Sequence, residues 1–147
     1  MTKLLLTKAA IVVAALAFAA APALAEDAAA CDGLKIVSLT TSNASSAIDG
    51  ELTTFTFTIA GVIEAAGADG FKADAPVTVA LKSGEDIRAT EDVAALAAGE
   101  QITLKTKATK WSPYADYGFD VVIGDGTAEG CMLSMDGTAV EQALRGQ

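Results

Sequence analysis

The segment 117–137 carries the side chains in this sequence that are best suited to binding an ion. Its sequence is YGFDVVIGDGTAEGCMLSMDG, and it includes the sulfur-bearing run Cys131-Met132-x-x-Met135. Carboxylate oxygens are ligands for calcium, and sulfur atoms are ligands for copper(I). Four carboxylates lie in the same segment: Asp120, Asp125, Glu129 and Asp136. The segment is therefore either an ion site or the last hairpin of a β-sheet.

The spacing of the apolar residues favours the hairpin. In a strand, residues two apart share a face. The outgoing strand places three apolar residues at this spacing: Phe119, Val121 and Ile123. Residues 124–127, GDGT, then supply an Asp-Gly pair typical of a tight turn. A returning strand is expected over residues 129–135, and its inward face would consist of Cys131, Leu133 and Met135.

The same hairpin argues against an ion site. Calcium needs six to eight oxygens that converge on one point, and the loop pattern D-x-[DN]-x-[DN]-G is absent. Met132 and Met135 are three residues apart on a strand, so they face opposite sides and cannot bind one ion together. The chain has no histidine, the commonest transition-metal ligand. We predict no metal site and no cofactor, and calcium at the turn carboxylates remains an alternative.

Residues 1–25 have the features of a secretory signal peptide. Lys3 and Lys8 supply positive charge, residues 9–21 are an unbroken apolar run, and Ala23-Leu24-Ala25 has small residues where signal peptidase cleaves. The run is short for a membrane span. We expect cleavage before Glu26, a single mature domain over residues 26–147, no membrane insertion after cleavage, and a periplasmic or extracellular location.

The expected mature chain is strongly acidic. All 19 acidic residues lie after residue 25, whereas two of the ten basic residues precede it, so the mature net charge is about −11. Such a surface repels nucleic acid and anionic lipid, which excludes both as partners. About 120 residues remain, enough for one domain with a buried core.

Two cysteines, Cys31 and Cys131, are expected to form one disulfide in an exported chain. A closed loop of about 100 residues stabilises the folded state by up to about 4.7 kcal/mol in the loop-entropy model. The alternative is a lipoprotein with Cys31 lipidated. That alternative lacks the usual branched residue three positions before the cysteine, and it places Glu26 and Asp27 between the apolar run and the cleavage point.

The remaining pattern is a succession of short strands. The strongest is TFTFTI, residues 54–59, which alternates strictly between phenylalanine or isoleucine and threonine. The Ser/Thr/Asn-rich residues 40–46 and the Gly/Ala-rich residues 64–70 are expected to be loops. Residues 93–99 are expected to be a brief helical turn, and the last ten residues a frayed end or one helical turn. Further strands are expected over 34–39, 77–84, 101–108 and 119–123, with a weak short one within 85–92.

This order of elements predicts an all-β fold. No helix of ten residues with a clean 3.6-residue period is present, and strands do not alternate with helices, which argues against a parallel sheet. A chain of this length with these strands should form two packed antiparallel sheets. We predict an immunoglobulin-like sandwich of about seven strands.

Six motifs follow one another along the chain: LKIVSL (34–39), GELTTFTFT (50–58), VTVALKSG (77–84), VAALAAGEQITL (93–104), Trp111 and YGFDVVIGD (117–125). In these motifs the chain resembles the CARDB family, the cell-adhesion-related domain of bacteria, whose members are immunoglobulin-like sandwiches of secreted and surface proteins. Two departures are AGVIEAAGADGF in place of an Asn-Gly turn and AEGCMLSMDG in place of a terminal acidic-Asn run. The resemblance implies a non-catalytic interaction module and transfers no functional residue.

An enzyme is excluded by the residue types. Without histidine or a free thiol, the Ser-His, Cys-His and His-metal mechanisms are absent. A glycosidase could use two carboxylates, but sugar clefts favour stacking aromatic residues, and this chain has few. We predict an exported, non-catalytic module for protein–protein interaction, adhesion or envelope scaffolding, with a protein partner.

A chaperone–usher fimbrial subunit is the main alternative. Such subunits are also exported, acidic sandwiches with one disulfide. Their disulfide usually closes a much shorter loop, and their last strand ends in an alternating, aromatic-tipped run that EQALRGQ does not match. A subunit of this kind lacks one strand, so it is unstable or polymerises when alone.

The loop after the fifth strand is the predicted contact surface. It contains Trp111, Tyr114 and Tyr117, and exposed aromatic residues beside a rigid scaffold are common anchors for partners. The alternative for Trp111, which we favour, is that its ring caps one end of the core.

Overall fold

The computed structural model describes residues 23–24, 30–115 and 117–146; the rest of the predicted signal peptide lies outside these ranges. Nine strands precede one helix, α1 (Gly137–Arg145). The strands are β1 (Ala23–Leu24), β2 (Leu34–Asp49), β3 (Leu52–Ala65), β4 (Phe71–Ser83), β5 (Asp86–Leu96), β6 (Gln101–Lys105), β7 (Thr109–Trp111), β8 (Phe119–Ile123) and β9 (Met132–Met135).

These strands form two antiparallel sheets that pack face to face. The first sheet has the order β1-β2-β3-β6, with β7 also paired to β3, and the second has the order β5-β4-β8-β9. The predicted all-β sandwich is confirmed. Among the described residues there are nine strands rather than about seven. β1 adds a two-residue strand, and β7 at residues 109–111 follows the strand expected over 101–108, which is β6 and ends at Lys105.

The core lies between the sheets and follows the alternation of the sequence. Phe55, Phe57 and Ile59 are buried, and the Phe57 ring meets the Phe119 ring edge to face with centroids 5.8 Å apart. Each inward side chain of one sheet thus packs on the other sheet. The largest side chains with almost no exposure are Phe57, Phe119, Leu34, Ile36, Leu39, Ile59, Ile63, Leu81 and Ile123.

Gly61 lies where a side chain of the second sheet comes close to the backbone of the first. It lies on β3, and a Cβ atom at this position would overlap the Cγ2 atom of Val121 on β8. Glycine in a strand often indicates such an approach of two backbones or of a backbone and a side chain. The absence of a side chain at residue 61 therefore lets Val121 fill the space between the sheets.

β2 is longer than predicted. The polar residues 40–46 were expected to end the strand, but β2 continues to Asp49 and is paired with β3 throughout. The register shifts between Ser42 and Ser45, and Asn43 within that interval has φ of +53°. The polar segment is therefore accommodated as a β-bulge, because β3 supplies hydrogen-bond partners that the local sequence does not reveal.

β5 also replaces two expected features. A weak strand within 85–92 and a helical turn over 93–99 were predicted, whereas one strand runs from Asp86 to Leu96. Its partner β4 begins at Phe71, ahead of Pro76, which falls in an interruption of the β4–β5 ladder between Lys72 and Val77. Pairing with β4 thus outweighs the helical preference of the alanine-rich residues.

The C-terminal segment is a nine-residue helix, longer than the predicted single turn. The Asp136 side chain caps it by accepting a hydrogen bond from the Ala139 amide at 2.8 Å. Val140 and Leu144, four residues apart, are buried against the sandwich. Residues 136–138, DGT, therefore cap and begin the helix.

The predicted disulfide is confirmed. Cys31 and Cys131 are bonded, with Cα atoms 4.9 Å apart and 100 positions apart in the chain. The bond connects Cys31, three positions before the first long strand β2, to Cys131, the residue just before β9. A disulfide of this kind persists in an oxidising environment, which agrees with export.

β1 lies within the predicted signal peptide. Ala23 pairs with Leu39 and Leu24 with Ser38, at the outer edge of β2. Cleavage before Glu26 stays a prediction; if it occurs, it removes this short strand. Among the described residues, no helix is both long and apolar enough to cross a membrane.

Candidate interaction surface

Trp111, one of the three predicted contact residues, lies in the core. Its side chain is 2% exposed, its ring packs on Phe55 with centroids 6.3 Å apart, and its Nε1–H donates a hydrogen bond to the Tyr117 carbonyl at 3.2 Å. A buried indole with a satisfied N–H contributes packing and holds the loop that follows it. Trp111 thus occupies the core-cap position, as favoured from the sequence, and offers little surface to a partner.

The two tyrosines of this loop are accessible. Tyr114 is 74% exposed, and Tyr117 is partly exposed while its ring contacts Phe119 edge to face. We call residues 112–118 the aromatic loop. A cleft of about 430 Å³ separates this loop from the start of α1. It is lined by Pro113, Ala115, Tyr117, Gly118, Asp136, Gly137, Thr138 and Glu141.

Asp125 holds its own turn together. Its Oδ1 atom accepts hydrogen bonds from the Thr127 amide at 3.0 Å and from the Thr127 hydroxyl at 2.8 Å. These bonds favour the ionised carboxyl and lower the pKa of Asp125 below its usual range, the backbone bond having the larger effect. The carboxylate is therefore used in an Asp-centred turn.

The other carboxylates of segment 117–137 have separate positions. Asp136 caps α1, Asp120 lies on β8 opposite Ser134, and Glu129 is exposed in the turn before β9. Within the described ranges, no group of three histidine, cysteine, aspartate or glutamate residues is placed to hold a metal ion. Segment 117–137 is thus a hairpin followed by a helix cap, and the structure does not bring its carboxylates together.

Sequence reasoning missed the most exposed feature of the sandwich. All eight residues from 45 to 52, at the end of the β2–β3 hairpin, are exposed. Neighbouring residues on a strand face opposite sides, so exposure of every residue means that neither side is covered. We call residues 45–52 the arm. It extends past the second sheet as a two-stranded ribbon.

The tip of the arm combines apolar and acidic side chains. Ile48 and Leu52 are 76% and 56% exposed, and Asp49 and Glu51 lie beside Gly50, whose φ of +63° allows a tight turn. No lysine or arginine occurs between residues 36 and 71. The Asp49-Gly50 pair predicts a turn, but only the second sheet determines which part of the hairpin is left uncovered.

The arm and the aromatic loop lie at the same end of the sandwich. β7 runs antiparallel to β3 with Trp111 opposite Phe55, so the chain leaves Trp111 towards the end where the arm begins. Among the described residues, six large hydrophobic side chains are exposed, and four of them belong to the arm or the aromatic loop. These four are Ile48, Leu52, Tyr114 and Tyr117. Apolar side chains gathered in this way are typical of a surface that binds another protein.

Comparison of the chain with protein-family models, curated proteins and solved structures finds no match. The resemblance to CARDB domains therefore depends on the sequence motifs alone.

Proposed function

We propose that this protein is an exported, non-catalytic immunoglobulin-like module that binds a protein partner in adhesion or envelope scaffolding. The observation that carries the proposal is the arm, in which eight consecutive residues are exposed and two of them are large aliphatic residues. A solvated ribbon contributes little to the core, and its aliphatic side chains gain apolar contact only when another molecule covers them.

The chemistry of the remaining surface supports a binding role. The chain has no histidine, and the described part has no free thiol because both cysteines are bonded. Hydrogen bonds lower the pKa of Glu64 and that of Asp125, whereas a catalytic acid near neutral pH needs a raised pKa. The CARDB resemblance and the predicted signal peptide support a location in the periplasm or outside the cell.

The test uses two variants of similar chemistry at different places. Ile48→Ser with Leu52→Ser alters the arm, and Met132→Ser removes an exposed apolar side chain outside the arm and the aromatic loop. We expect the arm variant to lose at least about tenfold in affinity for envelope proteins bound by the wild type, and the control to lose much less. Both should melt near the wild-type temperature. Equal binding by the arm variant and the wild type would contradict the proposal.

One observation favours the fimbrial alternative. The outer edge of β2 is paired only with β1, a two-residue strand inside the predicted signal peptide. Removal of that peptide would leave the β2 edge open for a strand from another molecule. A peptide that adds to this edge should then raise the melting temperature of the mature chain strongly; a complete module should show no change.

A further inference from the structure

A basic groove lies between the free edges of the two sheets. β5 is the edge of one sheet, and β6 and β7 form the edge of the other. The groove has a volume of about 660 Å³ and is lined by residues 87–88 and 105–110. Four basic residues belong to it, half of the eight that follow residue 25: Arg88, Lys105, Lys107 and Lys110. Residues 87–88 and 105–110 are called the basic groove below.

These four cations have few carboxylate partners among the described residues. Arg88 lies 3.6 Å from Asp86, a long ion pair with both side chains accessible. In the part of the chain that the structure describes, no carboxylate is within ion-pair distance of Lys105, Lys107 or Lys110. On an expected mature chain with a net charge of about −11, the groove is a local region of positive charge that attracts acidic groups.

The arm has the complementary properties. Asp49 and Glu51 flank its turn, and neither forms an ion pair within the described residues. Ile48 and Leu52 lie beside them, and the groove offers Ile87, which is 63% exposed. Opposite charges and aliphatic side chains therefore occur together on both surfaces.

We propose that the arm of one copy of this protein docks in the basic groove of a second copy. The inference rests on the proposed function and names the partner of the arm. Repulsion between two acidic copies does not prevent it, because charges more than about 8 Å apart are largely screened at physiological ionic strength. The charges that meet in the groove are close together and of opposite sign.

The arm and the basic groove are different surfaces, so one arm in one groove leaves a free arm and a free groove. If each arm enters the groove of the other copy, the reciprocal contacts close a two-fold dimer; if geometry prevents that, the contact is heterologous and forms a chain of copies. Either assembly depends on the same pairs of charges. Self-association of this kind would suit a scaffold or adhesion role.

The first experiment reverses charge on each surface of the mature chain. The arm variant is Asp49→Lys with Glu51→Lys, and the groove variant is Lys105→Glu with Lys107→Glu. Sedimentation equilibrium of the wild type should show dimers or larger species, and each variant alone should associate at least about tenfold more weakly. Lys72→Glu, an exposed lysine outside the groove, is the matched control for Lys107→Glu and should associate nearly as the wild type does.

Combining the variants provides the decisive result. A mixture of the arm and groove variants pairs a basic arm with an acidic groove, so we expect a one-to-one complex. A chain with all four substitutions should recover self-association, which a folding defect or a nonspecific charge effect would not produce. If neither the mixture nor the chain with four substitutions associates, the inference is overturned.

A monomeric wild type at high micromolar concentration would also overturn it, and the lysines would then serve to prevent edge-to-edge pairing of β5, β6 and β7. A monomeric wild type would not contradict the proposed function, which the Ile48→Ser, Leu52→Ser variant tests separately. Capture of a different envelope protein through Ile48 and Leu52 would support the proposed function while refuting self-association. A wild type that neither self-associates nor captures an envelope protein through the arm would refute both the inference and the proposed function.

Discussion

The two halves of the β2–β3 hairpin share one hydrogen-bonded ladder but have opposite surroundings. Near the disulfide, Leu34, Ile36 and Leu39 are buried against the second sheet. Beyond the bulge at residues 42–45, every residue of the arm is exposed although its backbone remains paired. The ladder is therefore continuous, and only the burial changes.

The difference shows which interactions stabilise this fold. A backbone hydrogen bond formed in water contributes about 0.5–1.5 kcal/mol net, because the unfolded chain bonds to water instead. Full burial of a large apolar side chain contributes about 1.5–3 kcal/mol. The buried half should therefore determine the free energy of unfolding, and the arm should be free to change in sequence and to bind.

The sharpest test of this contrast truncates one large residue in each half. Phe57→Ala removes a ring that contacts Phe119 in the core, and we expect a loss of about 3–5 kcal/mol in the free energy of unfolding. Leu52→Ala in the arm should change it by less than about 0.5 kcal/mol. Urea denaturation measures both. Similar losses for the two variants would show that the arm is packed in solution.

Removal of the disulfide should weaken the buried half selectively. Cys31→Ala with Cys131→Ala opens a loop of 100 positions, and we expect a loss of about 2–5 kcal/mol. Hydrogen exchange should accelerate in residues 34–41, whereas the arm should exchange quickly in both proteins. Wild type treated with reductant serves as the comparison. Unchanged protection of 34–41 would contradict the assigned role of the bond.

The close approach of the sheets at Gly61 gives a smaller expected effect. Gly61→Ala forces a methyl group against Val121, and we expect a loss of about 1–3 kcal/mol from overpacking. Val121→Ala in the same chain makes room for that methyl group. The double variant should therefore be more stable than the sum of the two single losses implies. If the stability losses of the two single variants simply add, the strain caused by Gly61→Ala does not arise from contact with Val121.

The smallest expected effect concerns Glu64, at the buried end of the hairpin. Hydrogen bonds from Gln101 and Lys35 stabilise its carboxylate and lower its pKa below the usual 4.5. A lowered pKa in the folded state means that the unfolded state binds the proton more tightly. Its contribution is thus present above pH 4.5 and is lost as the pH falls through the lowered pKa.

Acid titration of stability tests this effect. Gln101→Ala removes the larger cause of the shift, so the decline of stability below pH 4.5 should be shallower in that variant than in the wild type. An identical decline in the two proteins would show that Glu64 does not contribute to it.

The parts of the fold that were predicted correctly have strong local signals. TFTFTI specifies its buried face by strict alternation, and two cysteines in an expected export product imply one bond. The parts that were wrong depend on distant partners. Residues 40–46 and 93–96 are strands because β3 and β4 pair with them, and the C-terminal helix forms where Val140 and Leu144 meet the sandwich.

The sequence by itself determined the all-β class, the inward face of the main strands and the pairing of the cysteines. These follow from properties of neighbouring residues and from the count of thiols. Tertiary structure alone decided that Trp111 is buried, that residues 45–52 are uncovered, and that four cations share one groove. Exposure and charge proximity depend on where one sheet ends relative to the other, and no short stretch of sequence contains that information.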